Sequence, residues 1–203
     1  MVSYFLVHFI SCSISLLLAC MPFTMMFGTK WAWFSCASMV VPVLGYHYSL
    51  VYVIFYIFTK SLSIFSWSTF FAVKRLPLFF ATWALRSPDK KIFIGVPCIA
   101  MVLFILHPVG FQAWYYSCYW FIPMIAYRWA QSLMIARVIG ASFVAHAVGS
   151  VIFLYSSVHL TADFWIALIP VVAVERMIIA CGMYGCITIL EFVEILPTKR
   201  VFA

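Results

Sequence analysis

Long apolar runs constrain this chain more than any other feature. They cover residues 2–27, 32–59, 92–107, 111–127, 138–158 and 163–190. A bilayer crossing by an α-helix needs about 20 apolar residues. Six such runs in one chain predict six transmembrane helices. Composition agrees, since 67% of the 203 residues are hydrophobic and 8% are charged. A soluble domain carries about a quarter charged residues, so too few polar side chains exist here to cover a water-facing surface. That excludes an ordinary soluble enzyme, a disordered chain and a nucleic-acid binder, despite the net charge of +7. The expected fold class is all-α, a polytopic helical membrane bundle forming a single domain over 1–203.

Residues 60–91 fit no span. Two apolar pieces, 61–73 and 76–85, are separated by Lys74, Arg75 and Pro77. Each is too short to cross alone, and a charge at mid-bilayer costs roughly 3 kcal/mol even on the mildest scale. The segment is therefore expected to be interfacial or re-entrant, between the second and third helices. Charge placement supports this. Lys60, Lys74, Arg75, Arg86, Lys90, Lys91, Arg128, Arg137, Lys199 and Arg200 then share one side, which is ten of the twelve basic residues. The positive-inside rule makes that side the cytoplasm. Both termini face inward, and the protein is expected in the plasma (inner) membrane. The first run has no preceding Lys or Arg and extends past Cys20, so it reads as a retained helix rather than a cleaved signal.

Seven cysteines, at 12, 20, 36, 98, 118, 181 and 186, include no Cys-x-x-Cys. They read as small buried hydrophobes, with no metal site and no cofactor expected. Phosphate-binding loops, a Gly-x-Ser-x-Gly elbow and a His-Glu-x-x-His helix are all absent, so no catalytic residue is assigned.

Three constellations stand out. The outer ends of the runs carry Trp31, Trp33, His107, Gln112, Trp114, Tyr115, His159 and Asp163. Tyr116 and Trp165 lie in the same loops. Aromatic residues favour the headgroup zone, but an acid and an amide beside them point to an outward ligand pocket. Deeper lie His146, Glu175 and Arg176. A rise of about 1.5 Å per residue puts His146 roughly 12 Å from the inner end and Glu175 roughly 18 Å from the outer end. The two depths match, so a His146 to Glu175 contact is expected. This cluster is a structural clamp, the floor of a ligand site or a proton relay. Third, Ser11, Ser15 and Ala19 recur every four residues and give the first helix a small-residue face suited to close docking. Ala141, Ala145 and Gly149 repeat the pattern in the fifth.

The layout resembles the substrate-binding S components of energy-coupling factor vitamin transporters. The likeness rests on small size, six helices, inward termini, the Ser11/Ser15/Ala19 face and the outer 31–33 and 112–116 segments. It implies capture of a small nutrient from outside, no ATPase in the chain, and docking to a transmembrane coupling subunit that carries ATPases. The partners expected are thus the lipid bilayer, a small-molecule ligand and that subunit, with no nucleic acid. A scaffold acting through helix contacts alone is the alternative, and an intramembrane enzyme using His146 and Glu175 is a lesser one.

Overall fold

The computed structural model describes residues 22–27, 30–51, 53–54, 75–157 and 160–192. The described chain is helical apart from one antiparallel hairpin, in which β1 (Pro22–Phe27) pairs with β2 (Lys30–Ser35). The helices are α1 (Ala37–His47), α2 (Leu76–Arg86), α3 (Lys91–Leu106), the short α4 (Pro108–Gln112), α5 (Phe121–Ala130), α6 (Met134–Ser156) and α7 (Ala162–Phe192).

The hairpin corrects the sequence expectation, which carries the first helix to residue 27 and begins the second at 32. Residues 22–35 are rich in aromatic types that favour extended backbone, and Gly28-Thr29 separates two strand-length runs. The second predicted span, 32–59, opens as strand and continues as α1, which runs through Pro42 and ends at His47.

Local chemistry sets the other boundaries. Pro77 sits in the first turn of α2, where its missing N–H costs nothing. Extended Ser87, ahead of Pro88, ends that helix. The Asp89 carboxylate accepts the Ile92 N–H at 3.0 Å as α3 begins. The first turn of α3, Lys91–Gly95, is π-helical, with Val96 N–H bonded to Lys91 O. Pro97 lacks a donor for the Phe93 carbonyl and crowds it, so the wider turn relieves that clash. His107 is extended ahead of Pro108 and ends α3.

The fourth predicted span, 111–127, is three pieces rather than one helix. Between α4 and α5 the chain winds as a 3-10 helix over Trp114–Trp120. Tighter winding brings side chains three apart into line. It turns Tyr116, Ser117 and Trp120 inward.

α6 is the central helix, packed against α2, α3, α5 and α7. Its residues 140–147 are buried on every side. Gly140 lets the Phe93 ring lie against the α6 backbone, where a Cβ would overlap it. α2 is packed deep in the bundle, with Pro77 against Gly149 and Thr82 against Gly45, so the described part of 60–91 is not an interfacial segment and Arg75 does not share the end that holds Arg86. The core has two parts. One, around Leu85, Phe93, Val138 and Met183, lies toward the start of α6. The other, around Phe104, Tyr116, Trp120 and Trp165, lies toward its end.

Among the described residues, α6 and α7 are long and apolar enough to cross a membrane. Only 22% of the most apolar stretch of α7 is buried within the protein. Its Ile166, Val174, Met177 and Ile189 are exposed, as are Ile99, Val102 and Leu106 of α3. A helix apolar on its outward face as well as its inward one suits a hydrocarbon surrounding.

Candidate functional site

The site is built on α6. Ser142, His146 and Ser150 recur every four residues, so they share one helix face. All three are buried. They form a polar column roughly 12 Å long on an otherwise apolar helix.

Tyr116, delivered by the 3-10 segment, closes the upper half. Its hydroxyl lies 3.0 Å from His146 Nε2 and 3.5 Å from Ser150 Oγ. Ser150 Oγ is 3.4 Å from the same His146 nitrogen. With Nε2 unprotonated, Tyr116 donates to it; with Nε2 protonated, the direction reverses. The lower half joins α7, where Ser142 Oγ donates to the Arg176 carbonyl at 3.0 Å. The Arg176 guanidinium is ion-paired with the adjacent Glu175. Arg176 is close enough to act electrostatically on both His146 and Tyr116.

Aromatic rings wall the upper half. Phe104 stacks on Tyr116 at a centroid distance of 5.6 Å, and Trp165 meets Tyr116 edge-on at 4.8 Å. Trp120 lies edge-on to Phe104 at 5.3 Å. Both indoles are fully buried, yet neither Trp120 Nε1 nor Trp165 Nε1 has a partner among the described residues. Arg176 Nε is buried and unpartnered in the same way.

The residues singled out from sequence divide into groups. His146 lies on the α6 column, and Glu175 and Arg176 lie on α7 where Ser142 of that column meets the Arg176 backbone. The expected His146 to Glu175 contact is replaced, because Tyr116 and Ser150 take the imidazole nitrogen and Arg176 takes the carboxylate. His107, Gln112, Trp114, Tyr115 and Asp163 lie toward the end of the bundle where α6 finishes. Gln112, Trp114, Tyr115 and Asp163 are exposed there. His107 Nδ1 accepts the Val109 N–H at 3.3 Å, and its ring meets Tyr155 at 5.1 Å. Trp114 packs edge-on to Tyr115. Among the described residues, no hydrogen bond or ring contact joins these groups into one cluster.

Trp31 and Trp33 are in β2, which leads directly into α1. Met39 of α1 lies against Gly182 of α7. That position is about 30 Å along α7 from its first turn, so the hairpin joins the bundle far from Asp163. His159, Ser11, Ser15 and Ala19 lie outside the described residues. The Ala141, Ala145 and Gly149 face is used internally, with Gly149 against Pro77.

Sequence reasoning does not single out Ser142, Ser150 or Trp120, and it leaves Tyr116 and Trp165 in the outer loops rather than inside. The four-residue spacing of Ser142, His146 and Ser150 is a usable signal. The inward turn of Tyr116 and Trp120 has none, because it depends on 3-10 winding.

Tyr116 is nearer to His146 than Ser150 is, and no carboxylate orients the imidazole among the described contacts. Ser150 is thus not set up as an activated nucleophile. No protein-family model, curated protein or solved structure matches this chain.

Proposed function

We propose that this chain is an integral membrane protein of six spans that binds a small solute from the outer side and helps to take it up. It has no ATPase of its own and passes the solute on with a transmembrane coupling subunit. The observation that carries this reading is the buried Tyr116/His146/Ser150 cluster, walled by aromatic rings and continued downward by Ser142 and the Glu175/Arg176 pair. Buried polar groups in an apolar bundle mark ligand or ion paths by default. A largely apolar site with a few convergent polar groups is the usual form of a small-molecule site.

Orientation follows from charge. Arg86 donates to the Gly45 and Tyr46 carbonyls, Gln131 donates to the Pro88 carbonyl, and Arg137 donates to the Ala130 carbonyl. These contacts gather Arg86, Lys90, Lys91, Arg128 and Arg137 at the end where α6 begins. Asp163 and His107 lie at the opposite end, toward which Arg75, the residue that opens α2 near Gly149, also lies. We read the end that holds Arg86, Lys90, Lys91, Arg128 and Arg137 as the cytoplasmic one under the positive-inside rule, so the aromatic half of the column lies toward the outside.

The test is ligand-dependent stabilisation of the purified protein, paired with uptake by cells carrying or lacking it. Binding stabilises the folded state in proportion to ligand occupancy. Stabilisation by a small solute, lost with His146→Ala together with uptake, supports the reading. Unchanged uptake on deletion, with no solute shifting stability, overturns it in favour of a scaffold role.

A further inference from the structure

Among the described residues, the aromatic half of this bundle holds buried hydrogen-bond donors with no acceptor in reach. Trp120 Nε1 and Trp165 Nε1 are buried in the aromatic cluster without partners among the described residues, and Arg176 Nε lies deeper in the same condition. Indole and guanidinium nitrogens only donate. Among the described residues no acceptor reaches either indole N–H. The Tyr116 hydroxyl, His146 Nε2 and Ser150 Oγ bond to one another, and the Glu175 carboxylate is taken by Arg176. Leaving a buried donor unmet is costly, and most such groups in folded proteins find a partner. What the described site lacks is an acceptor placed at the two indole N–H groups.

Charge narrows the choice. Glu175 and Arg176 cancel within their own pair. Among the described residues, an anionic ligand there would meet no cation but the paired Arg176 and would face its carboxylate partner. Burying an unpaired charge is far more costly than burying a neutral hydrogen-bonded group. The walls narrow it further, because Phe104, Tyr116, Trp120 and Trp165 offer ring surfaces. Flat molecules gain most from such surroundings.

We propose that the ligand is a small, neutral, planar molecule whose polar edge consists of carbonyl or ring-nitrogen acceptors, received by the Trp120 and Trp165 indole N–H groups. This rests on the solute-binding reading above and adds the chemical class. The rings touch one another, so the ligand displaces at least one indole as it seats.

The probes are two neutral planar acceptors, pyridone and uracil, against two planar anions, benzoate and orotate, with toluene as an apolar control. Uracil and orotate differ by one carboxylate. Thermal stability and calorimetric titration of the purified full chain are the readouts. The expected result is stabilisation by pyridone or uracil and none by orotate, benzoate or toluene. Trp165→Phe or Trp120→Phe should weaken that binding about tenfold, the equivalent of one lost hydrogen bond, while the unliganded variants keep their stability. The comparison among probes on the unaltered protein needs no variant to fold. Binding of the anions as tightly as the neutral pair overturns the proposed class and leaves solute capture standing. So does toluene binding as tightly, or neutral binding unaffected by either tryptophan change. No binding by any probe, with uptake still dependent on the protein, overturns the class alone. No binding together with unchanged uptake on deletion overturns both.

Discussion

The Tyr116 hydroxyl sits among aromatic carbons with His146 and Ser150 as its hydrogen-bond neighbours. Tyr116→Phe keeps the ring packing and removes only this oxygen. His146 and Ser150 are then left with each other at 3.4 Å, a poor substitute. The variant should lose about 1 kcal/mol of stability, the usual size of an interhelical side-chain hydrogen bond. Unfolding midpoints in detergent would check this. Trp165→Phe makes the opposite case at a neighbouring site. It deletes an unmet donor and a little apolar area, so the unliganded protein should change by less than about 1 kcal/mol in either direction. Single residues are only half legible from sequence. His146 and Arg176 stand out because an ionisable group in an apolar run is rare. Their partners do not, since Tyr116 is 30 positions from His146 and reaches it through a fold.

Helices α3, α6 and α7 match their predicted spans within a few residues, because apolar runs bounded by proline or polar residues define such elements without tertiary context. The stretch from 111 to 127 does not match. Uniform hydrophobicity carries no period, so nothing in it distinguishes one helix from a short helix, a 3-10 turn and another helix. The hairpin at 22–35 is hidden for the same reason. Small residues give the helices their own test. Gly140→Ala places a methyl group into the buried Phe93 ring. Overpacking of this kind costs about 1–3 kcal/mol, against a gain of about 1 kcal/mol in helix propensity. Gly185 in α7 has nothing among the described residues within 4 Å of where a Cβ would stand, so Gly185→Ala should stabilise by up to about 1 kcal/mol. Paired unfolding curves should show opposite signs. Stabilisation by Gly140→Ala would contradict the packing of α3 against α6, and destabilisation by Gly185→Ala would contradict the open space at that position.

Across the whole molecule, two asymmetries coincide. The outward faces of α3 and α7 are apolar, which matches a lipid surrounding. Arg86, Lys90, Lys91, Arg128 and Arg137 collect at the end where α6 begins, the aromatic half of the polar column lies toward the other, and Arg75, two residues before Pro77 at Gly149, also lies toward that other end. Composition makes the first asymmetry legible from sequence, and the spacing of lysines and arginines suggests the second. The depth of α2 inside the bundle is not legible, because its 11 residues look too short to matter until Pro77 and Thr82 are seen against Gly149 and Gly45. The functional reading depends on α6 and α7 crossing a bilayer with the basic end in the cytoplasm. Single cysteines at Asp163 and Gln131, in a variant lacking the seven native cysteines, probe that orientation with a membrane-impermeant thiol reagent on intact cells. Asp163→Cys should be labelled from outside, and Gln131→Cys only after the membrane is opened. Labelling of both from the same compartment would contradict the orientation and the outward-opening site with it.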